Sequence, residues 1–266
     1  MSNYLYYDAT AANYAATVDA AALSPAGDID IRVRVAEDTW DWSGAAETFI
    51  AKDVDYGLST TWSTVEGELA FQWKDTSTHQ VFSGAQPPIT DGVAGWVRAT
   101  LDVNGGAAGV GRVQFYYSTD ATNDPDAVSW TALGSAQDGG DAPTFTFDGA
   151  AALRVGGHGT TGDWLAGKVY RATVYDGIGG TIVFDADFTD LTAAELAAGE
   201  FVEDSTNAAT VTLNGDSWAY VRPVTTGLLA TAELVLQAHD GNEGGSPKWA
   251  DPVSYTHLTL PTTPYV

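Results

Sequence analysis

The sequence has no cysteine and few basic residues. None of its 266 residues is a cysteine, which excludes disulfide bonds, thiolate metal sites and cysteine nucleophiles. Lysine and arginine together number 11 against 35 aspartate and glutamate residues, and the formal net charge is -24 at pH 7. Charge of this sign repels the phosphates of nucleic acids and of anionic lipids. We therefore expect neither nucleic acid nor a membrane surface as a partner.

Long apolar runs are also missing. The opening MSNYLYYDATAANY has neither the basic segment nor the apolar segment of a signal peptide. No later apolar run reaches the ~20 residues that a membrane-spanning helix needs. The sequence therefore predicts no signal peptide and no membrane insertion.

Short stretches of alternating apolar and polar residues are abundant. In the clearest one, Ile29, Ile31 and Val33 alternate with Asp30 and Arg32, as in a strand with one exposed face. Strands are predicted at 13–18, 28–35, 48–52, 56–59, 68–74, 80–83, 96–103, 112–117, 130–133, 144–147, 151–155, 167–176, 182–188, 209–213 and 217–221. The spacing predicts an all-β fold, an antiparallel jelly-roll β-sandwich.

Turns and caps define how some of these strands connect. Glycines at 179 and 180 turn the chain between 167–176 and 182–188, which predicts a hairpin. Asn214-Gly215 predicts another hairpin between 209–213 and 217–221. Thr192 and Glu195 have the spacing of a capping box, so one short helix is expected up to Ala198.

Several of these segments also resemble a known family. The order LRVGG from Leu153, WLAGKV from Trp164 and VYD from Val174 resembles the closing hairpin of laminin-G-like, concanavalin-A-like jelly-roll domains. WVRATLD from Trp96, followed by GRVQFY from Gly111, resembles the preceding strand pair of that family. The opening Asn13-Tyr14-Ala15, together with GDIDIRV from Gly27, is similar to modules in tail proteins of actinobacterial phages and prophages.

The resemblance implies a division of the chain. Residues 1–222 are expected to form the laminin-G-like jelly-roll domain, and 223–252 a linker or the start of a truncated next domain. The tail VSYTHLTLPTTPYV, residues 253–266, looks like an in-frame translation of the transposon end used in sequencing libraries. We expect this tail to be a sequencing-adapter artefact, with the natural chain continuing into further sequence.

Catalytic carboxylates are not evident in the sequence. Glycoside hydrolases of the resembled fold use two carboxylates, in one branch as an ExDxxE pattern on one strand, and that pattern is absent. Asp28 with Asp30 and Asp185 with Asp187 alternate along strands as solvent-facing residues do. The sequence therefore predicts a protein that is not an enzyme.

The nine tryptophans suggest sugar binding, because a flat ring stacks on the apolar face of a pyranose. Trp73, Trp96 and Trp218 are expected in the core. The candidate ligand-binding rim consists of loop tryptophans and the aspartates beside them: Trp40, Asp41, Trp42, Trp62, Asp163 and Trp164.

Calcium is the candidate cofactor, because rim loops of such sandwiches often hold it with carboxylates and carbonyls. The candidate ligands crowd one hairpin loop: Asp120, Asn123, Asp124 and Asp126. Aspartates in turns also bond their own backbone, so a purely structural role is the alternative. His79 and His158 are isolated in the sequence and are expected to be loop or surface residues.

Six of the seven arginines fall on predicted strands, where they could line one exposed sheet face: Arg32, Arg34, Arg98, Arg112, Arg154 and Arg171. One interpretation is cross-strand pairing with acids such as Asp30 and Asp102. The other is capture of an anionic wall polymer, which the overall negative charge disfavours.

By resemblance, the chain is expected to be a non-catalytic carbohydrate-binding or adhesion module of a phage tail protein. Its partners would be a host-surface glycan and other tail subunits, and its location the virion or the extracellular space. A purely structural virion spacer without a ligand is the alternative, and a glycoside hydrolase is a further one.

Overall fold

The computed structural model describes residues 4–9, 13–40, 46–61, 65–74, 76–140, 147–159 and 163–214, and the backbone alone at 219–223 and 233–237. Within these ranges seventeen strands form two antiparallel sheets. In chain order they are β1 (Tyr4–Asp8), β2 (Tyr14–Thr17), β3 (Ile29–Glu37), β4 (Glu47–Lys52), β5 (Tyr56–Thr61), β6 (Glu68–Lys74), β7 (Thr78–Phe82), β8 (Gly95–Asp102), β9 (Gly111–Ser118), β10 (Thr131–Gly139), β11 (Leu153–Val155), β12 (Ala166–Asp176), β13 (Thr181–Asp187), β14 (Glu200–Val202), β15 (Thr210–Asn214), β16 (Ala219–Pro223) and β17 (Glu233–Gln237).

The strands alternate between the two sheets many times along the chain. Sheet A has the order β10-β9-β8-β3-β12-β1-β16-β17, and β13 pairs with the second half of β12. Sheet B has the order β14-β15-β2-β11-β4-β5-β6-β7. The two inner faces form one apolar core, which includes Ile31 and Val33 of sheet A and Leu58 and Phe71 of sheet B. This is the predicted jelly-roll sandwich.

One α-helix, α1 (Ala193–Ala198), is present in the described residues, in the predicted place. The amide of Glu195 donates to Thr192 Oγ1 at 3.2 Å, and the amide of Thr192 donates to Glu195 Oε2 at 2.8 Å. Gly199 ends the helix in the left-handed conformation, with φ 71°. No described helix has the length and apolar character of a membrane span.

The strand β12 contains an irregularity that the alternation does not reveal. Its pairing with β3 shifts register between Val169 and Arg171, so Tyr170 lies in a bulge. Val169 and Ala172 point into the core, whereas Tyr170 lies under the guanidinium of Arg34 at 4.8 Å. Strict alternation along the sequence would place Tyr170 on the same face as Ala172, but the bulge adds one residue to the outer side.

The outer face of sheet A is buried as well, by the segment between β9 and β10. Asp30 is 0% exposed, and its carboxylate accepts hydrogen bonds from Arg32 Nη2 at 2.9 Å and from Arg98 Nη2 at 2.8 Å. From the covering segment, the Pro125 carbonyl accepts from Arg32 Nη1 at 2.8 Å. Trp96 is buried in this layer and its Nε1 donates to the Thr122 carbonyl at 2.9 Å.

The arginines thus lie on strands as predicted, but several of them do not line an exposed face. Arg32 and Arg34 are 5% and 6% exposed, and the side chain of Arg171 is 17% exposed and pairs with Asp185 at 2.6 Å. Cross-strand pairing with Asp30 is confirmed for Arg98. A buried arginine layer cannot capture an anionic polymer, so that interpretation is wrong for this face.

The last strands differ from the predicted hairpin. β15 pairs with β14 and β2 in sheet B, whereas β16 pairs with β1 and β17 in sheet A. Pairing of β15 with β16 is therefore excluded, and the chain crosses between sheets there. β17 extends sheet A into 223–252, the stretch predicted as a linker or the start of a truncated next domain. Residues 238–266, with the expected adapter sequence, lie outside the described residues. The division into domains stays a prediction.

We predict that Asp30→Ala lowers the free energy of unfolding by about 3–5 kcal/mol, because it leaves two buried guanidinium groups without their carboxylate. The measurement is chemical denaturation of both proteins. Asp138→Ala is the matched control, since it removes the carboxylate partner of the exposed Arg112 and should change stability far less. Equal losses in the two variants would contradict a special role of Asp30.

Candidate functional site

The outer face of sheet B carries a groove across its central strands. One cross-strand row forms its floor: Ala51 of β4 lies opposite Gly57 of β5, Gly57 opposite Gln72 of β6, and Gln72 opposite Gln80 of β7. Because side chains alternate across a strand, all four project away from the core. The groove has a volume of about 150 Å³.

Small residues keep this floor open. A Cβ atom placed on Gly57 would lie 2.9 Å from the Cβ of Ala51, so the close approach of β4 and β5 depends on glycine here. The lining beside the floor mixes polar and apolar residues. The described residues that line the groove are Ala46, Thr48, Ala51, Asp53, Val54, Gly57, Leu58, Ser59, Gln72, Gln80, His158 and Asp163.

Asp53 and His158 face each other at the groove. Asp53 lies in the turn after β4 with a left-handed backbone, φ 45°. The distance from His158 Nδ1 to Asp53 Oδ1 is 3.9 Å, too long for a hydrogen bond. Neither atom has another hydrogen-bond partner, and both are buried. Gln72 Nε2 donates to the Asp53 carbonyl at 3.4 Å.

The segment from Gly156 to Leu165 forms one side of the groove. Its predicted site residue Asp163 lines the groove, and the Asp163 carbonyl accepts from the Thr48 amide at 3.3 Å. Trp164 is partly buried and stacks on Tyr14, with ring centroids 5.7 Å apart and planes 15° apart. The guanidinium of Arg154 lies over the ring of Tyr14, 4.4 Å from its centroid. It also donates hydrogen bonds to the carbonyls of His158 and Gly159.

Trp40, another predicted rim residue, does not join this site. Trp40 is fully buried and packs on Phe49 at 6.2 Å, and its amide donates to Asp91 Oδ1 at 3.0 Å. Its predicted place on an exposed rim is therefore wrong, because the ring fills the core at the end of β3. The remaining predicted rim residues lie outside the described residues: Asp41, Trp42 and Trp62.

The four candidate calcium ligands bind protein groups instead. Asp120 Oδ2 accepts from the Ser129 amide at 2.7 Å, and Asp124 Oδ1 accepts from the Asp126 amide at 3.0 Å. Asp126 Oδ1 accepts from Arg32 Nη1 at 2.8 Å. Asn123 Nδ2 donates to Asp187 Oδ2 at 2.7 Å. Among the described residues no group of three or more histidine, cysteine, aspartate or glutamate side chains is arranged to hold a metal. Calcium stays a prediction.

A pair of buried glutamates lies away from the groove, where β3 ends and β4 begins. Burial and the charge of Glu47 raise the pKa of Glu37 well above its ordinary value. Burial raises the pKa of Glu47 to about 7, although the Ala166 amide donates to it at 2.8 Å. Glu37 and Glu47 are only 1% and 3% exposed, so no substrate reaches them in this structure.

The described residues form an antiparallel jelly-roll β-sandwich with an open groove on the outer face of sheet B. The scan against protein-family models finds no match, and the search of curated proteins finds none. Among solved structures, the chain is similar to a Bacteroides ovatus protein described as carbohydrate binding, with a TM-score of 0.52 and 12% identity. The match covers 82% of this chain and 59% of that protein's length. A heptameric pentraxin of Limulus polyphemus is also similar, with a TM-score of 0.45, 11% identity, and coverage of 66% and 76%. At these identities the likeness is one of fold.

The sequence reasoning missed most of the groove. Of the described residues that line the groove, only Asp163 was among the predicted ligand-binding residues. Gln72 and Gln80 lie on two adjacent strands and His158 lies far from them in the chain, so that only the folded sheet brings the three together. The one available signal was the small pair Ala51 and Gly57 on two adjacent predicted strands.

We predict that Trp40→Ala lowers the free energy of unfolding by about 3–5 kcal/mol, because it empties a large buried volume. Thermal or denaturant unfolding measures the loss. Val93→Ala, an exposed apolar residue, is the control and should be nearly neutral. A stable Trp40→Ala protein would contradict the core assignment.

We also predict that stability falls as the pH rises from about 4.5 to about 7. Glu47 has a folded-state pKa of about 7 against 4.5 for the ordinary group. Folding therefore retains a proton in this window that the unfolded chain has released, and the penalty is complete above pH 7. Replacing Glu47 by Gln should make this decline shallower and add on the order of 3 kcal/mol at pH 8, while the raised pKa of Glu37 leaves part of the decline in place. The free energy of unfolding, measured at pH 5 and pH 8, tests this prediction, and Glu66→Gln at an exposed residue is the control. The same pH dependence in Glu47→Gln as in the unaltered protein would contradict the role of Glu47.

Proposed function

We propose that this chain is a non-catalytic carbohydrate-binding module and that the groove on sheet B is its binding site. The observation that carries the proposal is the composition of the groove, in which carboxylate, hydroxyl and imidazole groups surround a floor of two small residues and two glutamine amides. Sugar hydroxyl groups are bound in proteins by such convergent polar groups. The similar Bacteroides ovatus protein described as carbohydrate binding supports this choice through its fold.

Two observations favour binding over glycoside hydrolysis. The carboxyl groups with the strongly raised pKa values, Glu37 and Glu47, lie outside the groove and are buried. The described carboxylates in the groove, Asp53 and Asp163, sit on a turn and a loop rather than as a pair on one strand. A hydrolase needs an acid and a base or nucleophile held across the scissile bond.

The biological setting is proposed from the resemblance of the sequence. The chain would act as an adhesion module in a phage or prophage tail protein, in the virion or outside the cell, and bind host-surface glycan beside other tail subunits. Weak binding by one module would be strengthened by display of many copies. We also propose calcium as a cofactor, and its candidate ligands are Asp120, Asn123, Asp124 and Asp126. Binding is therefore measured with and without calcium.

We predict that the full chain binds oligosaccharides, and that Gln72→Ala with Gln80→Ala weakens binding about ten-fold or more, because two amide contacts to the ligand are lost. The measurement is a glycan array, followed by NMR titration of the best oligosaccharide with and without calcium. Gln137→Ala on β10 is the control, because that side chain lies on sheet A and binds the Ser135 carbonyl.

The outcomes separate the candidate functions. Absence of binding by a folded chain would contradict the proposal and favour the structural spacer. Release of product from a polysaccharide, lost in one carboxylate variant, would favour the hydrolase. Binding that requires calcium would bring the loop of Asp120 into the site.

A further inference from the structure

The ligand of the groove can be defined more closely from its polar atoms. His158 Nδ1 and Asp53 Oδ1 are buried, lack hydrogen-bond partners and lie 3.9 Å apart. An unsatisfied buried polar atom is costly, and proteins retain few of them without a reason. One oxygen atom placed about 2.8 Å from each would satisfy both, since a hydroxyl group can donate to a carboxylate and accept from an imidazole N–H.

The two side chains are accessible from the groove although these atoms are not. The side chain of Asp53 is 29% exposed and that of His158 is 11% exposed, and both line the groove. A hydroxyl group would reach both atoms only after Asp53 or His158 changes its rotamer. The backbone that carries the imidazole is anchored, because Arg154 Nη1 donates to the carbonyls of His158 and Gly159 at 3.3 and 3.0 Å.

The charge of the groove selects against anionic sugars. Its described lining contains two carboxylates, Asp53 and Asp163, and neither lysine nor arginine. The sequence of the segments 41–45, 62–64 and 160–162, which flank the lining residues in the chain, also lacks lysine and arginine. Arg154 does not supply this charge, because it is engaged by two carbonyls and by the ring of Tyr14. A uronic acid would enter with an unpaired negative charge.

The size of the groove limits the ligand to a small unit. Sites for drug-sized ligands have volumes of roughly 300–1,000 Å³, whereas this groove has about 150 Å³. One sugar ring, as at the end of a chain, fits that volume better than several consecutive rings.

Resting on the proposed function, we propose that the groove binds one uncharged hexose unit at the end of a glycan chain, and that Asp53 and His158 fix it by sharing one hydroxyl group. The preference for an uncharged unit is a property of the lining. The shared hydroxyl group makes Asp53 and His158 the specificity-determining pair.

The test uses the full chain and pairs of oligosaccharides that end in glucose, galactose or mannose or in the corresponding uronic acid. For the sugar that binds, we expect the neutral oligosaccharide to have a Kd at least about ten-fold lower than the oligosaccharide that ends in its uronic acid. NMR titration measures both constants. Asp53→Asn should weaken neutral binding about ten-fold, and His158→Asn should do so independently. Asp53→Asn suits the left-handed backbone, which asparagine also adopts.

Asp176→Asn is the matched control, since it removes the same charge from an exposed residue outside the groove. Equal or tighter binding of the uronic acid, or of an oligosaccharide ending in glucosamine, would overturn the neutral specificity. Neutral binding that survives in Asp53→Asn and His158→Asn but is lost in Gln72→Ala with Gln80→Ala would overturn the role of the pair and leave the proposed function intact. Absence of binding of the folded chain to every sugar tested would overturn both the proposed function and the specificity proposed here.

Discussion

The buried carboxylate of Asp30 is the interaction on which the architecture of this sandwich depends. It binds Arg32 of its own strand, Arg98 of β8 and the amide of Gly179 in the β12–β13 turn. Isolated charges are expensive to bury, so these groups must remain together for the outer face of sheet A to be closed. The covering segment adds the carbonyl of Pro125. Closure of this face leaves the outer face of sheet B as the place for an open groove.

Local sequence signals predicted the elements with strong patterns. The sequence predicted the alternation in β3, the capping box of α1 and the β12–β13 hairpin. Each of these signals is carried by residues that lie close together in the sequence. The strands β1 and β14 were missed. β14 has only three residues, and the two faces of β1 differ little in the sequence, since Leu5 and Tyr7 are buried while Tyr4 and Tyr6 are only partly exposed.

The polar side of a strand could not be assigned to solvent from the sequence. The alternation of Asp30, Arg32 and Arg34 with valine and isoleucine is the same whether water or another segment covers it. The cover here is about 90 residues away in the chain, where Asn123 and Asp126 approach the arginines. Trp40 illustrates the same limit, because its loop position does not reveal that the ring turns inward. The groove was missed for a related reason. Its floor is a row of residues on four different strands, and only the folded sheet aligns them.

The distribution of cations explains why a chain so acidic still offers a surface for a specific ligand. Of the 11 lysines and arginines, Arg32, Arg34 and Lys52 are buried, and the side chains of Arg98 and Arg171 are 12% and 17% exposed. Four of these cations pair with carboxylates, and Arg34 lies against the ring of Tyr170. Because all five are largely enclosed, they contribute little positive potential outside the fold. The surface that remains is negative and repels anions at long range. The proposed binding at the groove therefore relies on short hydrogen bonds, for which the amides and the Asp53–His158 pair are the available groups.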